Sequence, residues 1–460
     1  MTRHLLILLL VLLVLTVLPV GVAASGPEAA WKAGFAAEKI TPEKPLWMSG
    51  YASRTAPADG KDTELWAKAM VLHSPDGVRL VLVTLDLVGI DRELSREVCR
   101  QVMARHKLPR EAIILATSHT HCGPVVGSNL RGMYFFDDDQ QKLVDEYSGQ
   151  LRQKVLKVVD AAVAALEPVS LARGVGTAGF AVNRRENKEA DVLARRARGE
   201  ALKGPVDHDV PVLAVRDAKG KLKGVVFGYA CHATVLAYQK WSGDYPGYAM
   251  IELEKAHPGA VAMFWAGCGA DQNPLPRRSV ELAQQYGRQL AEAVQAVLAK
   301  PLDPVPASAA ATYREIDLPL AEIPSREQFV QDSLSSDKYL AARARRFLDR
   351  MKSGDPIPTT YPYPVQCWRL GRDLTLVALG GEVVVDYSLR LKKELGPGVW
   401  VMAYANDVMA YIPSARVLRE GGYEGATSMV YYGLPTVWSP KVEELLVAEV
   451  TRQVRQLRGP

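Results

Sequence analysis

Two imidazoles close the run Ile113-Ile114-Leu115-Ala116-Thr117-Ser118-His119-Thr120-His121-Cys122-Gly123-Pro124. The apolar start predicts a buried strand, and the Gly-Pro pair predicts the loop that ends it. In extended backbone, residues i and i+2 point to one face, so His119 and His121 are expected to address one small volume. Imidazole is both a common transition-metal ligand and the usual proton shuttle near neutral pH. Two polar residues bonded to backbone at a strand end is the other reading of an isolated His-x-His. Further groups of the same chemistry recur at other segment ends: His232 in Cys231-His232-Ala233-Thr234, Asp271 in a glycine-rich turn, Glu382 after Gly380-Gly381, and the tyrosines Tyr411 and Tyr423. Two or three histidines with a carboxylate and one open position describe a catalytic zinc site.

Positioning such groups needs elements that end at one place. Leu80–Val88 is too apolar to alternate and reads as a central strand with Asp86 near its end. Asp91–His106 has helical spacing, with Leu94, Val98 and Val102 on one face. With the strand before His119 it makes a parallel crossover unit, in which sites gather at the carboxyl ends of strands. Tyr147–Leu166 predicts an amphipathic helix, and 182–203 a charged surface excursion. Val210–Val215 and Gly224–Ala230 predict a strand pair joined by the Ala218-Lys219-Gly220 turn. Ala260–Ala266 predicts a buried strand running into Gly267-Cys268-Gly269-Ala270-Asp271-Gln272-Asn273-Pro274, a turn able to bring backbone close to whatever fills a cleft. Helices are predicted at about Val280–Leu298 and Pro440–Leu457, and strands at Leu374–Leu379 and Trp400–Ala405. The same alternation of strand and helix is expected through the second half, with Pro301–Pro306 as a surface crossing. No internal repeat or low-complexity tract is present.

Composition sets the class. The 460 residues are 48% hydrophobic and 23% charged, an ordinary globular balance. The formal charge of +5 is scattered, which argues against a nucleic-acid partner. Arg3 and His4 precede an apolar run over Leu5–Leu18, and small residues follow at Gly21–Ser25. That is the pattern of a secretory signal, with cleavage expected after Ala24 or Ala23 and an uncleaved anchor as the alternative. A secreted or periplasmic location follows. No cysteine stands after the run, which disfavours a lipoprotein. Five cysteines remain, an odd number whose spacing matches no disulfide framework, and small buried residues are the expected role.

The motifs Ser118–Pro124, Asn183-Arg184-Arg185, Cys231–Thr234, Gly243–Ala249, Gly267–Pro274, Gly380–Glu382 and Tyr423–Thr427 together resemble the catalytic domain of the neutral/alkaline, non-lysosomal ceramidase family. They stand in the family's order from about Gly50 to Gly433. The resemblance implies an α/β fold: one large domain, residues 25–460 after a signal peptide of 1–24, with central mixed β-sheets flanked by helices. It implies one Zn²⁺ per chain held by His119, His232, Glu382 and Tyr411, and places His121, Arg184 and Tyr423 around the scissile amide. The activity implied is hydrolysis of an N-acyl compound by zinc-activated water, ceramide being the best-named substrate, with peripheral membrane contact. Tyr411 is chosen over Tyr404 because its spacing to Tyr423 fits the family's tyrosine pair.

Two departures stand out. Asn273 replaces the family's serine before the proline, so it cannot act as a nucleophile; with Asp271 it is expected to bind a polar headgroup. The immunoglobulin-like domain that follows in the family is expected to be absent here. Two alternatives keep the fold: a catalytically silent exported binding protein, and a zinc esterase.

Overall fold

Uninterrupted apolar runs become sheet interior. A computed structural model describes residues 30–459, so the predicted leader lies outside the described residues. Strands β1 (Trp31–Lys39), β2 (Trp66–His73), β3 (Arg79–Leu85), β4 (Ile113–Thr117), β5 (Glu167–Thr177), β6 (Asp209–Asp217), β7 (Leu222–Tyr229) and β8 (Val261–Ala266) line up in the order β8-β7-β6-β5-β1-β2-β3-β4. The pairs β3–β4 and β7–β8 are parallel and the others antiparallel. Asp303–Pro304, from the predicted surface crossing, adds a short strand beside β5. Helices α1 (Arg92–His106), α2 (Asp138–Ala164), α3 (Asp244–Ala256) and α4 (Val280–Leu298) accompany this sheet. Helices α1 and α3 are the two crossovers, because a parallel neighbour cannot be reached by a tight turn.

Helix α1 starts where Asp91 accepts hydrogen bonds from the backbone N–H groups of Glu93 and Leu94. Val98, Cys99 and Val102 are its buried face, while Leu94 is only partly covered. Helix α2 begins nine residues before the predicted Tyr147. Its first turns are polar and show no apolar period, yet Asp137 caps them through Gln140 N and two further aspartates lie in the first turn.

The second half departs from the expected alternation. Strands β9 (Ala309–Pro319), β10 (Thr360–Leu370), β11 (Leu374–Leu379) and β12 (Val399–Met402) form a second sheet in sequence order. Its first three strands are antiparallel, and only β11–β12 is a parallel crossover, through helix α5 (Val385–Leu395). Helix α6 (Val442–Arg458) closes the chain. No helix among the described residues is long and apolar enough to cross a membrane.

The chain just after β12 joins the two edges of the first sheet. Ala403 N donates to Ala266 O at the end of β8 (2.9 Å), and Thr117 N at the end of β4 donates to Tyr404 O (3.2 Å). Asn406 N then donates to Leu115 O at 2.7 Å. Tyr404 and Asn406 take left-handed backbone (φ 54° and 63°) to make this path, which L-residues adopt only at some cost. The carboxyl ends of β4, β7, β8 and β11 are thereby brought to one place.

Asp407, next along, is buried and accepts the Tyr361 hydroxyl at 2.8 Å. Burial lifts its carboxyl from 3.8 to about 7. The stability contributed by the protonated form is complete below the unfolded value and is lost as pH rises through about 7, since the native state binds the extra proton in that window. Asp407→Asn is therefore expected to flatten the fall in stability between pH 4 and 7. At pH 8 it should unfold later in denaturant than the parent, by roughly 1–3 kcal/mol. Equal pH slopes for the two proteins would contradict the assignment.

Candidate metal centre

His119 leaves β4 in left-handed backbone (φ 59°), so the strand has already ended. The expectation that extended geometry aims both imidazoles is corrected. The two rings do meet, with Nε2 atoms 3.1 Å apart, because the backbone turns at His119 and is pinned there. Ser118 N donates to Leu85 O, His121 N to Ala233 O, and the Thr120 hydroxyl to Ser242 O. A non-glycine residue held at positive φ is a strain that only a well-determined surrounding sustains.

His232 follows β7 and is held by His232 N donating to Gln272 O at 2.9 Å. The glycine-rich turn makes that approach possible: a Cβ on Gly269 would lie 2.5 Å from Cys231 N. Its small residues therefore serve backbone-to-backbone packing, whereas the sequence pattern suggested a cleft ligand. Glu382 follows β11, and a two-residue parallel pairing sets Glu382 beside Tyr411 and Val383 beside Ile412. Residues 181–183 pair antiparallel with 272–274, which sets Arg184 next to Asn273. Tyr423 opens a single π-helical turn, Tyr423–Thr427, after two glycines at positive φ; such turns recur at functional sites.

Glu382 Oε2 lies 3.1 Å from His119 Nε2 and 3.1 Å from His232 Nε2, all three side chains being buried. The other nitrogen of each ring is already committed. His119 Nδ1 is 2.7 Å from Val88 O and His232 Nδ1 is 2.8 Å from Gly269 O, so in the neutral ring each Nδ1–H donates to a carbonyl. Burial, and then the Arg184 guanidinium, push His232 down to about 4, which keeps it neutral. Three lone-pair acceptors thus converge with no proton between them, and Glu382 Oε2 is buried without a hydrogen-bond donor. Such an arrangement is complete only around a cation. The residues fit a metal of the imidazole- and carboxylate-binding kind.

Tyr411 presents its hydroxyl 3.3 Å from His232 Nε2 and accepts from Arg184 Nη2 at 3.2 Å. Arg184 also donates to Glu424 (2.7 Å) and to Asn273 Oδ1 (3.3 Å). Tyr423 packs edge-on against Tyr411, 5.3 Å between ring centroids, and is 41% exposed, so it borders the open side. His119, His121, His232, Glu382, Tyr411, Arg184, Tyr423 and Asn273 are therefore brought together. Asp271 is not among the groups facing that space. It is fully buried and accepts from Val385 N (2.9 Å) and Asn183 Nδ2 (3.3 Å), which anchors the start of α5. Its headgroup role is thereby corrected to a supporting one.

Beyond the predicted set, three neighbours brace the centre. Tyr432 donates its hydroxyl to Glu382 Oε1. Tyr404 stacks on His119 at 4.2 Å, and Glu424 pairs with both Arg184 and Arg185. Glu424 lies within the motif Tyr423–Thr427 and Tyr432 just beyond it, but nothing in the motif assigns them partners. Asp86, just past the end of β3, accepts from Trp66 N at 2.9 Å. The five cysteines are all buried and unpaired, as expected of small core residues.

His121 alone of the three histidines has a ring nitrogen without any partner, Nδ1, which faces Gly50. A Cβ on Gly50 would sit 2.4 Å from that nitrogen, at a backbone φ of 97°. Gly50→Ala is expected to displace the ring and lower turnover by about 10²-fold, the scale of a misplacement of about 1 Å. It should also cost about 1 kcal/mol or more of stability through backbone strain. Steady-state rates and chemical denaturation check both; an unchanged rate would contradict the contact.

The fold is α/β, with mixed sheets whose strand ends surround a buried histidine–carboxylate cluster. The family described as neutral/alkaline non-lysosomal ceramidase, N-terminal, matches residues 31–269, and the chain belongs to that family. Among solved structures it resembles the neutral ceramidase from Pseudomonas aeruginosa, with 21% identity and a TM-score of 0.72, over 93% of this chain and 74% of that one. It also resembles a ceramidase complexed with C2, with 20% identity and a TM-score of 0.71, over 93% and 75% of the two chains. At those identities the likeness speaks to the fold. No curated protein matches the sequence.

Proposed function

We propose that this chain is an exported zinc-dependent hydrolase of N-acyl amides, ceramide being the substrate that the family's name suggests. The observation that carries the reading is the convergence of His119 Nε2, His232 Nε2 and Glu382 Oε2 with no donor among them. With Tyr411 alongside, these residues would hold Zn²⁺. The ion supplies Lewis acidity and lowers the pKa of a bound water.

The carbonyl–imidazole bonds at Val88 and Gly269 fix the tautomers of His119 and His232, the usual support for a metal-bound histidine. His121 lacks such an anchor, which supports assigning it to the substrate side although its Nε2 lies within reach of the other two rings. Burial and the neighbouring histidines keep it well below its ordinary pKa and hence neutral, able to take a proton and hand it to the leaving amine. Arg184, held by Glu424, and the Tyr423 hydroxyl offer fixed donors to charge developing on the amide oxygen. Asn273 contributes hydrogen bonding, as no nucleophile stands at that position. Export rests on the Leu5–Leu18 run and its flanks.

Purified protein is expected to carry about one zinc per chain and to release fatty acid from N-acyl amides, to lose activity on chelation, and to regain it with zinc. Full turnover after complete metal removal would defeat the proposal.

A further inference from the structure

Tyr423 stands between two surfaces of opposite character. On one side opens a cleft of about 710 Å³ beside Arg184 and Asn273. Its walls carry Arg185, Lys188 and Arg277 against Glu186, Glu189 and Glu420, and Leu275 is the one aliphatic side chain lining it among the described residues. Most of these charges are already paired: Arg185 with Glu420 at 2.9 Å, and Arg277 with Glu189 at 3.1 Å. On the other side a file of rings leads away from Tyr411. Centroids are 6.3 Å apart from Tyr423 to Tyr431, 5.1 Å from Tyr431 to Tyr339, and 5.6 Å from Tyr339 to Phe135, which is 52% exposed.

Covering ion pairs with a hydrocarbon chain strips them of water and returns no hydrogen bond. A charged head finds no net field where the two signs balance. A hydroxyl both donates and accepts, so it can insert between arginine, asparagine and glutamate side chains without disturbing their pairing. The ring file, by contrast, offers ring faces and edges to an acyl chain, with the Lys338 ammonium 5.0 and 5.1 Å from the outer rings Tyr339 and Phe135.

Resting on the amide-hydrolase reading, we infer that the centre prefers single-chain N-acyl amines with a polyhydroxylated head, N-acyl amino sugars being the chemical class, over two-chain ceramide. The head occupies the Arg184–Asn273–Arg277 cleft and the acyl chain follows Tyr423, Tyr431 and Tyr339. Hydrolysis then adds water across the amide and releases a fatty acid and the free amino sugar.

The test compares kcat/KM of the zinc-loaded full chain on N-lauroylglucosamine and on ceramide bearing the same lauroyl group. The sugar amide should be favoured at least about tenfold, the low end of what differing pocket contacts discriminate. The double substitution Arg277→Leu, Glu189→Leu, which removes both members of the pair and leaves Glu189's second partner, the exposed Arg278, to solvent, should shift the ratio toward ceramide by a similar factor. Because the ratio is internal to each preparation, partial unfolding does not move it. Ceramide cleaved as fast as the sugar amide, or a ratio unmoved by the double substitution, overturns this inference alone. Cleavage of neither compound, with zinc bound, overturns the amide-hydrolase reading and this inference with it.

Discussion

His119→Ala should abolish metal retention and lower turnover by at least about 10³-fold, equivalent to about 4 kcal/mol of barrier. The size follows from position. His119 Nε2 lies 3.1 Å from both Glu382 Oε2 and His121 Nε2, so its loss removes one member of the acceptor set and leaves the buried carboxylate facing one fixed imidazole. His232→Ala should behave alike. His121→Ala differs in kind: metal content should stay near one per chain while turnover falls by about 10²–10⁴-fold, the usual worth of a positioned proton-transfer group. Metal analysis beside single-turnover rates separates the two. Loss of metal in His121→Ala would instead make it a third histidine ligand, a geometry the three clustered nitrogens allow.

Glu424→Ala should be the most destabilising single change near the site, by about 3–5 kcal/mol. Glu424 is 5% exposed and takes Arg184 on one oxygen (2.7 Å) and Arg185 on the other (2.6 Å). Both guanidinium groups are largely covered, so deletion leaves two cations without their shared partner. Glu424→Gln keeps an acceptor and should cost less. Burial opposes the ionised carboxyl, and the two arginines outweigh it, holding Glu424 below its ordinary pKa. The stability it contributes is present above the unfolded value and is lost as pH falls through the depressed folded value. The gap in denaturant midpoint between parent and Glu424→Ala should therefore stay constant from pH 7 to about 4.5 and close only below that. Because Arg184 also reaches Tyr411, the alanine protein should lose activity even where it remains folded.

Much of the first half was legible because its signals are local. Leu80–Val88, Ala112–Leu115 and Ala260–Ala266 carry continuous apolar runs, and a helix between parallel strands follows from α1's periodicity and its Asp91 cap. The motifs marked His119, His232 and Glu382 as chemically competent before any geometry was known. The antiparallel β9–β10–β11 sheet was hidden because most of β9 is only partly covered and shows no clear apolar alternation.

What the sequence by itself determined is the inventory: strand ends that carry histidine, carboxylate and tyrosine, a leader pattern, and a family. What only the tertiary structure decided is which of those ends meet, and in what state. Three contacts beyond any local pattern did this: Ala403 and Asn406 joining the edges β8 and β4, and the Glu382–Tyr411 pairing. They explain why Asp271, which reads as a headgroup ligand, is spent on Val385 N, and why Tyr432 and Glu424 brace the centre. Long-range hydrogen bonds fix those partners, and no spacing along one chain encodes them.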